Sequence, residues 1–258
     1  MSSVLKLSKL YFLGEIRRQV HLVTLFLGVI LLMLPAYVNS FSMGLGAFER
    51  VAKDFGLTII GYYGVAMAIW MGSTAVNRDI EGRSIHPILA RPLTRLQYLM
   101  AHLVSMFNML FLSLLFLALC LTVSVGILTH GADADVLMAT AGDLLASTVL
   151  ASACLCFSTF ASPPLAGVIG AFLYLVGGLS NAFIRFFLVE DRSSYLMAGL
   201  ARAFKLLLPN FEVFRLKDPA VHDLAIPVFY GPAIALYALA WIIFFTLLAN
   251  LFFERRDV

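Results

Sequence analysis

Residues 226–253 read IPVFYGPAIALYALAWIIFFTLLANLFF, an apolar run without a single charged side chain. A helix needs about 20 predominantly apolar residues to cross the hydrocarbon core of a bilayer, so this run predicts a transmembrane helix. The rest of the chain agrees, because 61% of its 258 residues are hydrophobic, only 13% are charged, and the mean hydropathy is +0.94. The core of one soluble domain could not bury so much apolar surface. The chain is therefore predicted to be an integral membrane protein.

Five further apolar runs precede this one, at residues 20–38, 57–75, 98–128, 144–160 and 165–183. Each is long enough to cross the hydrocarbon core or nearly so. Between the fourth and fifth runs, the sequence ASPP at residues 161–164 contains two prolines, which end one helix and begin the next. We therefore predict one all-α polytopic membrane domain over residues 1–258, with six transmembrane helices and both termini on the same side.

Two amphipathic segments lie outside the apolar runs. Residues 1–19 interleave lysines and arginines with apolar side chains, which is typical of a helix lying in the membrane interface. Residues 186–225 join the last two spans on the outer side. Within them, YLMAGLARAFKLLL at residues 195–208 has apolar residues at helical spacing and precedes Pro209, so we predict short amphipathic helices there.

The distribution of charge argues against a nucleic-acid partner and favours one membrane orientation. The net charge is +3, and the 18 lysines and arginines are scattered along the chain, so no basic surface for nucleic acid is indicated. Ten of them lie on the side that holds the termini and residues 76–97, and eight lie on the other side. The positive-inside rule therefore favours cytoplasmic termini.

Motifs for catalysis are missing from the sequence. It contains no G-x-x-x-x-G-K-[ST] loop, so we do not expect it to bind ATP by a P-loop. Cys154 and Cys156 are two residues apart on a predicted helix and face opposite ways, so they cannot hold a metal together. With Cys120 they are predicted to be packing residues. The loop HGADAD at residues 130–135 is better explained as a solvated loop than as a cation site. We predict no enzymatic activity, cofactor or metal in this chain.

Small and polar residues within the predicted spans indicate helix contacts. Gly64, Ala68 and Gly72 recur every four residues, a spacing that lets helices approach closely in lipid. The stripe suits either a contact within the bundle or the interface of a dimer. Asn108 and Asn181 are polar at membrane depth and are expected to face protein or a water-filled path. The candidate pathway or dimer-interface residues are Tyr62, Gly64, Ala68, Gly72, Asn108, Tyr174 and Asn181.

The stretch DIEGRSIHPILARPLTR at residues 79–95 places five charges and two prolines between two apolar runs. Residues 78–85 are predicted to form a short amphipathic helix with Glu81 and Arg83 pointing into solvent. Pro87 and Pro92 disfavour helix at the residues before them, so the loop should be a stiff elbow. A rigid charged elbow is suited to transmitting force from a partner.

With this loop, the chain resembles the permease subunits of type 2 ATP-binding cassette exporters, in particular those grouped with multi-copper-enzyme maturation permeases. The resemblance covers the whole chain and includes LLPNFEVF at residues 207–214, before the last span. Its loop motif is an acidic-Glu-Gly element followed by Pro-x-x-Arg at the start of a long third span. The matching residues are Asp79, Glu81, Gly82, Arg91, Pro92, Leu93, Thr94 and Arg95. Arg83 and Pro87 depart from the pattern, since the family often has a small hydroxyl residue and continuous helix there.

The resemblance implies a function and a set of partners. In that family two permease chains pair with two P-loop ATPase subunits, which bind ATP and Mg²⁺, and the loop between spans two and three docks on the ATPase. It implies a homodimer among membrane lipid in the bacterial inner membrane, with residues 76–97 and both termini cytoplasmic. The coupling residues that it implies are Asp79, Glu81, Gly82, Arg83, Arg91, Pro92 and Arg95.

Two other classes of protein stay open. A self-contained secondary transporter needs intramembrane carboxylates or matching repeats, and the sequence offers Asp143 at the outer edge of a span. A polytopic membrane enzyme needs convergent acid–base or nucleophilic residues, and the sequence offers only the loop that begins at His130. An ATPase that co-purifies with the chain would separate the exporter from both.

Overall fold

The chain folds as a bundle of helices. The structure is a computed structural model that describes residues 2–16, 20–41, 48–81, 94–129, 134–179, 208–222, 227 and 229–254. These residues form eight α-helices and one 3₁₀ turn and contain no strand. The elements are α1 (Ser2–Ile16), α2 (Val20–Phe41), α3 (Phe48–Glu81), α4 (Arg95–Thr129), α5 (Ala134–Ser158), α6 (Pro163–Gly178), the 3₁₀ turn (Phe211–Phe214), α7 (Lys217–Val221) and α8 (Tyr230–Glu254).

Four of these helices are long and apolar enough to cross a membrane, namely α3, α4, α5 and α8. Shorter apolar helices occur in α2, over Leu22–Val38, and in α6, over Pro163–Gly178. The prediction of an all-α integral membrane protein is confirmed. The count of six crossings stays a prediction.

Helix α5 forms the centre of the bundle. It packs along α3 and also contacts α4, α6 and α8, and 67% of its most apolar window is buried. Helix α2 packs on α4 and α3, and α1 lies along α4. Both cysteines of α5, Cys154 and Cys156, are fully buried, which confirms their prediction as packing residues.

Helix α3 is longer at both ends than the apolar run at 57–75 predicts, and the predicted separate helix at residues 78–85 is wrong where the structure describes it. Residues 78–81 continue α3 to Glu81. At the other end, Lys53 is 2% exposed and pairs with Glu49 of the preceding turn at 2.6 Å. A charge can be buried inside a bundle when it has such a partner, so the helix extends beyond the apolar run.

Ion pairs mark the two edges of an uncharged belt, which is defined here along α3. No charged residue lies between Asp54 and Arg78 of α3, about 36 Å along a helix that rises about 1.5 Å per residue. The hydrocarbon core of a bilayer is about 30 Å thick. Arg78 pairs with Glu15 of α1 at 2.9 Å, and Asp54 pairs with Lys217 of α7 at 2.8 Å. The end of the bundle that contains Arg78, where α3 ends and α4 begins, is called the loop end. The opposite end, which contains Asp54, is called the far end.

The connection between α5 and α6 lies at the loop end and follows the prediction from its prolines. Helix α6 begins at Pro163. The side-chain amide of Asn77 on α3 donates to the carbonyl oxygens of Ser158, at 3.3 Å, and Ala161, at 3.0 Å. Both accepting residues are buried, so this amide serves carbonyls that water does not reach.

The segment at residues 208–222 folds over the far end. Phe211 and Phe214 of the 3₁₀ turn are buried, and the Asn210 backbone N–H donates to the Tyr237 hydroxyl of α8 at 2.8 Å. A Cβ atom on Gly142 of α5 would lie 2.3 Å from the Phe214 carbonyl oxygen. Only glycine therefore allows this close approach. The amphipathic sequence at 195–207 lies outside the described residues.

Candidate functional site

The Asp79 carboxylate is the centre of a hydrogen-bond network at the loop end. Its Oδ2 atom accepts from the Tyr11 hydroxyl of α1 at 2.7 Å and from the Tyr98 hydroxyl of α4 at 2.8 Å. His102 Nε2 lies 3.1 Å from the same oxygen. The Asp79 side chain is only 14% exposed. One carboxylate thus joins the last turn of α3 to the first turns of α4 and to α1.

Aromatic contacts hold the donors of this network in place. The Tyr11 ring stacks on the His102 ring with centroids 3.9 Å apart, and Tyr98 stacks on Phe253 of α8 at 5.7 Å. Burial and the neighbouring Asp79 charge raise the pKa of the Tyr11 hydroxyl above its ordinary value, so it stays protonated and donates. We call Tyr11, Asp79, Tyr98 and His102 the Asp79 network.

A cavity of about 90 Å³ lies beside the Asp79 network. The ion pair between Arg78 and Glu15 forms part of its wall, and the Arg78 guanidinium also lies 5.8 Å from the centre of the Trp70 ring. Arg78 follows Asn77 and precedes Asp79, and together these three consecutive polar residues bind the α5–α6 turn, α1 and α4.

The predicted coupling residues at the two ends of the loop differ in what the structure shows of them. Asp79 faces the bundle interior, and Glu81 is the last residue of α3. Arg95 is the first residue of α4, and its guanidinium donates to the Phe253 carbonyl oxygen and lies 5.4 Å from the Phe253 ring centre. Gly82, Arg83, Arg91 and Pro92 lie outside the described residues. Their role in coupling stays a prediction.

The stripe of small residues on α3 is a contact within the chain. A Cβ atom on Gly64 would lie 2.6 Å from the Ser147 hydroxyl oxygen of α5, and one on Gly72 would lie 2.5 Å from the Cys154 Cβ atom. Ala68 between them is fully buried. The alternative of a dimer interface at this stripe is therefore wrong, because α5 already occupies it.

The prediction that Asn108 faces protein or a water-filled path stays a prediction. Asn108 is exposed near the middle of α4, on a face that also exposes Phe107, Phe111 and Leu112. The Phe107 and Phe111 rings stack on each other with centroids 6.3 Å apart. Among the described residues, this face points away from the bundle and is exposed. Asn181 lies outside the described residues.

Tyr62 and Tyr174, two of the candidate pathway residues, come together at the far end. Both line a cavity of about 190 Å³ between α3, α5, α6 and the 208–222 segment. The same cavity is lined by Asp143 of α5 and by Arg215 and Lys217. Sequence reasoning named Asp143 only as an edge residue and did not single out Arg215. Their roles in transport stay predictions.

The described residues contain no cluster of three or more histidine, cysteine or acidic residues that could hold a metal ion. The loop from His130 to residue 133 lies outside them. No protein-family model matches the chain, and no match is found among curated proteins. The resemblance to exporter permeases therefore rests on this chain's own residues.

Proposed function

We propose that this chain is the transmembrane subunit of an ATP-binding cassette exporter, driven by a separate P-loop ATPase through the loop at residues 76–97. The observation that carries the proposal is the Asp79 network. Helix α3 ends at Glu81, two residues after Asp79, and α4 begins at Arg95, three residues before Tyr98. Because Asp79 and Tyr98 are hydrogen-bonded to each other, the two stems of the loop are tied at its base.

A loop with tied stems transmits a push to several helices at once. Movement of the loop base displaces α3 and α4 together, and Tyr11 and the Glu15–Arg78 pair carry the displacement to α1. The Arg95 and Tyr98 contacts with Phe253 connect the same base to the end of α8. Buried, packed groups of this kind transmit strain because they are not freely deformable. This is the mechanical property that a coupling loop requires.

The exporter would contain two copies of this chain, two ATPase subunits holding ATP and Mg²⁺, and surrounding lipid of the inner membrane, with the loop end in the cytoplasm. The exposed Asn108 face of α4 supports a second copy, since a polar amide near the middle of a span gains hydrogen bonds from a neighbouring helix. In this proposal α1 is the interface helix, and α2 to α6 with α8 are the six crossings.

One observation favours a second candidate, a self-contained secondary transporter. Asp143 is a carboxylate within α5, one of the helices long and apolar enough to cross a membrane, and it lines a cavity, which is a feature of ion-coupled transporters. The two functions differ in their energy source. The purified chain in liposomes would transport without ATP as a secondary transporter, and Asp143→Asn would abolish that transport.

Purification of the tagged chain from its own cells, followed by mass spectrometry, tests the exporter proposal. We expect a soluble protein with a P-loop in about equal amount, and ATP hydrolysis only in its presence. Glu81→Lys places a like charge at the proposed docking surface, which can cost several kcal/mol, so it should capture at least about tenfold less ATPase at unchanged membrane level.

The control charge reversal must avoid a structural ion pair. Glu49 is unsuitable because it pairs with the buried Lys53. Asp135, in the first turn of α5 at the far end, forms no ion pair within the described residues, so Asp135→Lys should capture ATPase like the parent chain. Capture that survives Glu81→Lys and fails with Asp135→Lys would contradict both the coupling role and the orientation.

A further inference from the structure

Four charged residues line the far-end cavity, namely Asp143, Arg215, Lys217 and the exposed Asp218, and two of them, Asp143 and Arg215, form no ion pair within the described residues. Asp143 and Arg215 both line the cavity of about 190 Å³. Within the described part of the chain, the Asp143 carboxylate forms no hydrogen bond or ion pair, and Arg215 forms no ion pair. Lys217, the other cation of the cavity, is already bound to Asp54 at 2.8 Å and to Thr58 at 3.1 Å.

The backbone keeps these two charges at the same level of the bundle. The Phe214 carbonyl oxygen lies against Gly142, and the residues that follow each of these, Arg215 and Asp143, both line the cavity. A Cβ atom on Gly61 of α3 would lie 3.4 Å from Asp143 Oδ1. Glycine at this position leaves one side of the carboxylate open to the cavity.

The remaining walls suit an ammonium group. Tyr62 and Tyr174 line the same cavity, and the faces of tyrosine rings attract cations. A buried carboxylate needs a cationic partner, whereas a guanidinium binds phosphate or carboxylate oxygens in a bidentate manner. A ligand that carries both an ammonium and an anionic oxygen group would satisfy Asp143 and Arg215 together.

The position of the cavity narrows the ligand class further. Thr58 and Leu57 in its wall lie one turn from the Asp54–Lys217 pair, which marks the far edge of the uncharged belt. Phosphate groups of lipids lie at this edge of a bilayer. Tyr62 of α3, which lines the cavity, is 66% exposed within the described part of the chain. A lipid headgroup can therefore reach the charges from the membrane.

We infer that the far-end cavity binds a zwitterionic headgroup of the phosphoethanolamine type, with its ammonium on Asp143 and its phosphate on Arg215. The lipid phosphatidylethanolamine is the favoured source, and free phosphoethanolamine offers the same chemistry. The inference concerns the chain by itself. It needs neither the ATPase nor export, so its failure and the failure of the proposed function are distinguishable.

Native mass spectrometry of the purified chain in micelles tests the lipid arm. Phosphatidylethanolamine and phosphatidylglycerol are offered in turn, because the second has the phosphate and lacks the ammonium. We expect the chain to retain phosphatidylethanolamine at least tenfold better. Isothermal titration with phosphoethanolamine tests the free source, and binding there with no lipid preference would assign the site to the soluble zwitterion.

Three variants assign the binding to the two charges. Asp143→Asn keeps the shape of the side chain and removes its charge, and Arg215→Gln removes the charge of an exposed side chain. Each should weaken binding at least tenfold, measured with whichever of phosphatidylethanolamine and phosphoethanolamine the parent chain binds better. Neither should change the unfolding midpoint. Asp135→Asn, on the same helix as Asp143 and outside the cavity, should bind like the parent chain.

Three results would overturn the inference. Equal retention of phosphatidylglycerol that is unaffected by Asp143→Asn would show a site for anions only. Binding unchanged in both Asp143→Asn and Arg215→Gln would place the ligand elsewhere. Absence of binding for both the lipid and phosphoethanolamine would show that the cavity takes neither form of this zwitterion.

Discussion

Tyr98→Phe removes one donor from the Asp79 network and keeps the aromatic ring that stacks on Phe253. Tyr98 is fully buried, so water cannot replace the lost hydroxyl. A hydrogen bond to a charged group contributes about 1.5–3 kcal/mol. Because Tyr11 and His102 still contact the carboxylate, we expect a loss near the lower limit. A loss of about 1.5 kcal/mol in the free energy of unfolding is about a tenfold change in the folding equilibrium.

Unfolding of the purified chain in mixed micelles of increasing SDS content measures this loss. The fluorescence of Trp70 and Trp241, the two tryptophans of the chain, reports the transition. The matched control is Tyr62→Phe, which removes the hydroxyl of a side chain that is 66% exposed and should change the free energy by less than about 0.5 kcal/mol. If Tyr98→Phe is as stable as the parent chain, the network does not hold the base of the loop.

Three further predictions concern the stripe of small residues on α3, the Asp79 network and the membrane orientation. Gly72→Ala places a Cβ atom 2.5 Å from a carbon of α5 and should lower the free energy of unfolding by about 1–3 kcal/mol through overpacking. In the control Gly167→Ala, the new Cβ atom meets its nearest neighbour at 3.6 Å, so this variant should be as stable as the parent chain in the same SDS titration. The pKa of the Tyr11 hydroxyl is raised in the folded chain, so its contribution to stability is complete below about pH 10 and is lost as the pH rises further. The unfolding midpoint of Tyr11→Phe should therefore fall less at alkaline pH than that of the parent chain. An identical fall in both proteins would contradict this. Cysteines introduced at Ser193 and at Asp218, which is exposed on α7, should react with an impermeant thiol reagent from outside the cell; labelling only after permeabilisation would invert the orientation.

The helices were predictable from apolar runs because lipid requires each crossing to be long and uncharged. Their ends were less predictable. A prediction that ends each helix at its first lysine excludes Lys53, yet Lys53 lies within α3, where it is buried and pairs with Glu49. Prolines gave a better signal, since Pro163 begins α6 as its missing N–H allows.

The partners of Asp79 could not be predicted from the loop sequence. Tyr11 lies 68 residues away and comes from α1, so only the packing of α1 on α4 brings it close. A weaker signal was present on α4, where Tyr98 and His102 are four residues apart and share one helix face. The four-residue spacing of small residues on α3 predicts that Gly72 contacts another helix, but it does not reveal whether that helix belongs to the same chain.

The Asn77 amide ties the turn between α5 and α6 to a helix that the ribosome produces earlier. The Ser158 and Ala161 carbonyls that it serves are buried, and an unsatisfied buried acceptor costs about 1–3 kcal/mol. The two buried carbonyl oxygens of the α5–α6 hairpin therefore receive the Asn77 hydrogen bonds only when the hairpin packs beside an α3 that is already in the membrane. During biogenesis this makes the placement of the hairpin depend on the correct placement of α3.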